Sequence, residues 1–202
     1  MVFVSKISNE ELADMPTAVY DGPVTVVDGP GAEYDDAIAY LSSQKVIGFD
    51  TETKPSFVAG APRNKTALLQ LAGRDRAFLF RLKKMGLPAD LAAILASNKI
   101  YKVGAAVRDD IKGLQRYRRF EAKAFVDLQN VVSTFGILEK SVRKMAAIVL
   151  GTKVSKGQQL SNWEAEHLSP GQIQYAALDA WVCRQIYESL QQVPQEKIGS
   201  QN

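Results

Sequence analysis

Two carboxylates, Asp50 and Glu52, stand one residue apart at the end of the short apolar run Val46-Ile-Gly-Phe49. A run of that length and β-branched content reads as a buried strand. Side chains at i and i+2 of an extended chain share a face, so both acids project the same way. Like charges held side by side are costly unless a cation lies between them. Magnesium and similar hard divalent ions take oxygen ligands of this kind, often together with substrate phosphates. The same pair also fits an ordinary solvated turn, and an isolated Asp-x-Glu does not separate the two. The other acids of the chain must do so.

Asp110 is the first of them. A strand ending at Gly104 leads into a helix on which Asp110 shares a face with Val107 and Leu114. A carboxylate among apolar neighbours needs compensation, which a metal would supply, although a helix-capping acid is the simpler reading of this residue alone. Asp109 points elsewhere, toward the helix N-terminus. Asp179 is the second, four residues after Tyr175 on a helix that also carries Ala176, Ala177, Leu178 and Trp181. The i, i+4 spacing stacks the phenol on the acid. Such a tyrosine can orient a water, or simply hydrogen-bond the acid inside the core.

The elements that must position these residues follow from the pattern of the chain. Val24–Val27 is a short strand between Gly22-Pro23 and Asp28-Gly-Pro30, in a segment, 1–30, that reads as an appendage opened by a helix start at Ser8-Asn-Glu-Glu11. An amphipathic helix over Tyr34–Leu41 precedes the acidic strand. Residues 54–65, with their prolines and Gly60, form a loop. Ala67–Ala72 and Ala77–Leu82 flank the turn Gly73-Arg-Asp-Arg76 as an antiparallel hairpin. Thereafter helices alternate with short strands at Ile100–Val103 and Phe125-Val126, and Ser169-Pro170 opens a long helix running towards Leu190. Three strands followed by alternating strands and helices predict an α/β domain over 31–190 with a mixed sheet, and 191–202 reads as a flexible tail.

Composition bounds the chemistry. The chain has 202 residues, 46% hydrophobic and 23% charged, which suits one globular domain. No apolar run approaches the length of a membrane span. The start, Met1-Val-Phe-Val-Ser-Lys6, lacks the plan of a signal peptide, and the expectation is a cytoplasmic protein. Cys183 and His167 are the only residues of their types, so an internal disulfide and a Cys₂His₂ zinc site are excluded. The absence of Gly-Lys-Ser/Thr after a glycine-rich loop removes a P-loop nucleotidase. The net charge of +3 conceals an asymmetry. Residues 1–36 hold eight acids and one base, 99–119 seven bases and two acids, and 140–156 five bases and no acid. Clustered bases can be solvated helix faces, and they can also be the footprint of a phosphate-backbone binder.

Three ordered motifs carry a resemblance to a family. Phe49-Asp50-Thr-Glu52, Lys102-Val-Gly104 through Asp110-Ile-Lys-Gly-Leu114, and Tyr175 with Asp179 resemble those of the DEDD superfamily of 3′-5′ exonucleases. The tyrosine branch (DEDDy), that of ribonuclease D and the Werner-type exonuclease domain, is the nearest. Leu160-Ser-Asn-Trp163 and Leu168-Ser-Pro-Gly-Gln-Ile-Gln-Tyr175 are similar to it too, while the histidine branch needs a histidine where Gln174 stands. The resemblance implies a ribonuclease H-like α/β fold with a five-stranded sheet, three antiparallel strands and then parallel ones, flanked by helices. It also implies that Asp50, Glu52, Asp110 and Asp179 bind two divalent ions, Mg²⁺ or Mn²⁺, with Tyr175 beside them as a fifth catalytic group. The polymer would be DNA or RNA with a 3′ end, cut to nucleoside 5′-monophosphates, and a weak or inactive nucleic-acid-binding module on the same fold is the alternative. Thr51, Phe57, Arg108, Lys112 and Lys156 are the expected nucleic-acid contacts, with Arg116, Arg143, Lys144 and Lys153 as further bases.

Overall fold

The computed structural model describes residues 3–56 and 64–194. Its strands are β1 (Val24–Val27), β2 (Val46–Thr53), β3 (Thr66–Ala72), β4 (Ala77–Arg81), β5 (Tyr101–Gly104) and β6 (Phe125–Asp127). They form one sheet in the order β1-β4-β3-β2-β5-β6. The hairpin partners β3 and β4 are antiparallel, as are β2 and β3, whereas β5 and β6 run parallel to β2. The sheet is mixed, as expected, but it has six strands and not five. Val24–Val27 pairs in parallel with β4 and extends the edge.

Alternation along the strands divides the core. Ile47 and Phe49 of β2, Leu69 and Leu71 of β3, and Phe78 and Phe80 of β4 point to one face, where they are buried chiefly with residues of three helices. These are α2 (Ala32–Ser42), α4 (Ala89–Ala96) and α5 (Val107–Gln115). Burying each such side chain contributes about 1.5–3 kcal/mol. The opposite face, carrying Gly48 and Ala72, lies under the long helix α8 (Pro170–Gln191). β3 is buried along its whole length, because it is central and covered on both sides.

The helix starts follow local chemistry. Ser169 and Gln172 form a capping box at the start of α8, with Pro170 in its first turn. Ser8 and Glu11 do the same for α1 (Asn9–Asp14). Leu12 of α1 is buried against Ala147 of α7 (Val142–Leu150), and Ala18 donates its N–H to the Lys153 carbonyl at 2.8 Å. The first thirty residues therefore give the sheet a strand and tie down the segment after α7. The short helices α3 (Leu82–Met85) and α6 (Leu128–Thr134) complete the elements.

Candidate active site

The meeting of β2 and α8 assembles the acids. A Cβ on Gly48 would lie 1.8 Å from the Ala180 carbonyl oxygen, so only glycine lets the helix backbone touch the strand there. Asp179 precedes Ala180 in the helix, and Asp50 follows Gly48 by two residues on the same strand face. One oxygen each from Asp50, Glu52 and Asp179 lies within 4.8 Å of the others. β5 pairs with β2 only along Val46–Gly48, so the acidic end of β2 runs past its neighbour and borders a crevice. Crevices at the carboxyl ends of parallel strands are common ligand sites in α/β sheets. Asp50, Glu52, Tyr175 and Asp179 line a cavity of about 310 Å³ here, together with Arg143 and Lys156.

Asp110 approaches from the other side. α5 starts at Ala106, whose φ of 56° is left-handed, and Asp127 accepts the Ala106 N–H at 3.0 Å. One turn on, Asp110 accepts the Thr51 hydroxyl at 2.6 Å. Thr51 faces away from Asp50 and Glu52, so Asp110 stands outside the three-carboxylate cluster. Its charge still raises the pKa of both Asp50 and Glu52. On this side lies a cavity of about 540 Å³, lined by Asp110, Thr53, Ser56, Lys112 and Arg116 among others.

Crowding sets the titration of the cluster. Burial, then Asp179 and Asp110, push Asp50 well above the usual carboxylate range. Burial and the neighbouring acids, Asp50 foremost, lift Glu52 to about 9. Burial raises Asp179 as well, opposed by a hydrogen bond from the Tyr175 hydroxyl, and it takes Asp110 to about 6 against the Thr51 bond. The Tyr175 phenol is itself pushed upward by burial and then by Asp179 and Glu52. Hard oxygen donors that repel one another when empty are a fitting set for a divalent cation.

These acids have folded pKa values above their unfolded ones, so between about pH 4 and the Glu52 value of about 9 the folded metal-free chain holds more protons than the unfolded. Its stability is full at the acid end of that window and is lost as pH rises. In EDTA the melting temperature should fall from about pH 5 to about pH 9, and saturating Mg²⁺ should flatten that decline. A melting temperature that rises with pH in EDTA would contradict the crowding of the acids.

Of the expected nucleic-acid contacts, only Lys156 and Thr51 border the three-acid crevice. Lys112 lines the larger cavity and pairs with Asp109 at 3.1 Å. Arg108 is exposed and lines neither. Phe57 lies outside the described residues. Lys144 pairs with Glu139 at 2.9 Å, and Lys153 donates to the Ala13 carbonyl, which draws both into structural contacts. Gln159, Ser141 and Ser155 line the crevice without having been marked by the sequence; for Ser155 and Gln159 the place just before the Trp163 motif was the available signal, and Ser141 caps the start of α7. Trp163 is fully buried and packs on the Tyr175 ring with centroids 6.0 Å apart, fixing the phenol from behind.

With the geometry in place, known proteins give it a context. A family profile described as 3′-5′ exonuclease matches residues 30–194. The chain is 35% identical over 150 residues to exonuclease 3′-5′ domain-containing protein 2 of Drosophila melanogaster, a match covering 72% of this chain and 25% of that protein. It is 30% identical over 167 residues to the mouse bifunctional 3′-5′ exonuclease/ATP-dependent helicase WRN, covering 77% of this chain and 12% of that one. It thus spans a quarter or less of the length of these relatives. Among solved structures, the Nibbler EXO domain of Aedes aegypti superposes with a TM-score of 0.72 at 27% identity, over 87% of this chain and 93% of that domain. RNase D of Escherichia coli gives 0.73 at 20% identity, over 83% and 44%, a likeness of fold alone.

Proposed function

The chain belongs to the 3′-5′ exonuclease family, and from that premise we propose that its acidic crevice removes nucleotides one at a time from the 3′ end of a nucleic acid. The observation that carries this reading is the convergence of the Asp50, Glu52 and Asp179 oxygens within 4.8 Å. Water adds to the phosphorus, the P–O3′ bond breaks, the O3′ takes up a proton, and a nucleoside 5′-monophosphate leaves. Asp50, Glu52 and Asp179 hold two divalent ions, Mg²⁺ or Mn²⁺, with Asp110 completing the set from the adjoining side. Bound there, the ions supply an activated water and neutralise charge on the attacked phosphate and leaving oxygen.

The remaining groups divide the work of positioning. Tyr175 has its pKa raised above the ordinary phenol value, so it stays protonated at neutral pH, donates a hydrogen bond to Asp179 and offers its oxygen as the acceptor that orients the attacking water. A tyrosine in that role supports reading the chain as a member of the tyrosine branch. Thr51 holds Asp110 through its hydroxyl. Lys156 and Arg143, on the crevice wall, meet the phosphates of the strand, as bases do in backbone recognition.

Tyr175→Phe should lower kcat by roughly 10²-fold while leaving the fold intact. A turnover near that of the wild type would reduce Tyr175 to a packing role. The reading as a whole is tested with 5′-labelled single-stranded DNA, single-stranded RNA and 3′-recessed duplex, each in Mg²⁺ or EDTA. A ladder shortening from the 3′ end in Mg²⁺ alone is expected for at least one of them. Binding with no shortening of any substrate would instead fit a nucleic-acid-binding module on the same fold.

A further inference from the structure

β3 reads Thr66-Ala-Leu-Leu-Gln70-Leu-Ala72, a single amide inside a strand that is buried throughout. Gln70 is 0% exposed, and neither its Nε2 nor its Oε1 has a hydrogen-bond partner among the described residues. A buried polar group left without a partner is destabilising, and an apolar side chain of the same shape would avoid that. The position of Gln70 explains its presence. The antiparallel register sets it directly opposite Asp50 on β2, and opposite Leu79 on β4. Directly opposed residues project to the same face with their Cβ atoms about 4.5–5.5 Å apart. The neighbours of Gln70 along that face of its own strand, Leu68 and Ala72, are apolar, as is Leu79. Of the two residues directly opposite Gln70, only Asp50 has a side chain that can accept an amide N–H.

We propose that Gln70 is a positioning residue for Asp50. Its side-chain N–H would donate to an Asp50 carboxylate oxygen and so fix the rotamer of the carboxylate when the site holds its cation. A neutral donor suits this task, because it orients the acid without cancelling the charge that attracts the cation. Hydrogen bonds of this outer kind set the affinity and geometry of ligating carboxylates. Sequence patterns miss Gln70, since it reads as one polar slip in a hydrophobic strand.

The inference rests on the metal-site reading of the crevice, and the test separates the two. Mn²⁺ binding, without nucleic acid, is measured by calorimetry on the wild type and Gln70→Met, with the melting temperature of each taken in EDTA. The wild type should bind Mn²⁺. Gln70→Met should bind it roughly tenfold or more weakly, melt in EDTA no lower than the wild type, and lose kcat with KM retained. Mn²⁺ affinity of Gln70→Met within twofold of the wild type overturns the proposal and leaves the metal site standing. A wild type that binds no Mn²⁺ overturns both. Should Gln70→Met fail to fold, the wild type itself gives the answer. Its assigned Gln70 side-chain NH₂ resonances should shift as Mg²⁺ is titrated in, and resonances that do not move overturn the role.

Discussion

Asp50→Asn should abolish digestion from the 3′ end and, in the absence of metal, make the protein more stable. The two effects have one cause. Asp50 clusters with Asp179 and Glu52, with an oxygen from each within 4.8 Å of the others, and burial with the neighbouring charges already drives its pKa upward. At neutral pH the folded metal-free chain must keep a proton on Asp50 that the unfolded chain has released; an amide removes that cost, and the melting temperature in EDTA at neutral pH should rise. In the proposed site, the same change would remove a charged ligand from the cation. Metal assistance is worth several kcal/mol of transition-state stabilisation, so the rate should fall by roughly 10³-fold or more. Comparing Mg²⁺-dependent digestion and melting in EDTA checks both halves. Activity retained within about tenfold of the wild type would contradict the placement of Asp50 at the centre of the site.

Gly48→Ala should be nearly as damaging, though Gly48 carries no chemistry. Its added methyl would fall 1.8 Å from the Ala180 carbonyl oxygen and 2.6 Å from its carbon, both atoms of helix backbone. No side chain can swing aside, so α8 must move as a body. Overpacking of this kind costs about 1–3 kcal/mol. A displacement near 1 Å of a catalytic group can cost roughly 10²-fold in rate, and Asp179 moves with the helix. The variant should melt lower and cut at least ~10²-fold more slowly, with the loss mainly in kcat. A variant that melts and cuts like the wild type would mean that this contact does not place Asp179.

These two expectations show what the sequence could and could not reveal. The acidic strand was legible because Val46–Phe49 and the i, i+2 acids obey local periodicities. The pairing of Tyr175 with Asp179 was legible from the helical period, and the start of α8 from Ser169-Pro170. Asp110 was legible as a candidate, yet its bond to Thr51 was not. Which face of β2 the helix α5 approaches is decided by tertiary packing. The place of β1 was missed for a related reason, because a four-residue strand does not announce its partner. Charge counts misled at Lys102. It was counted in a basic segment, but it is fully buried, and its Nζ donates to the Ser97 and Ile100 carbonyls at 2.6 and 2.7 Å. Burial lowers its pKa to about 8, and no phosphate can reach it. Gly48 was visible only as a glycine in a strand, and nothing local said that a helix would rest on it.

The central claim is that cations held by Asp50, Glu52 and Asp179 touch the phosphate being cut. An oligonucleotide whose 3′-terminal linkage is a phosphorothioate of defined configuration tests it directly. Magnesium prefers oxygen strongly over sulfur, and manganese accepts sulfur more readily. One diastereomer should be cut much more slowly than the all-oxygen substrate in Mg²⁺ and should recover its rate in Mn²⁺. Both diastereomers cut at the all-oxygen rate in Mg²⁺, or a loss that Mn²⁺ does not restore, would contradict the account.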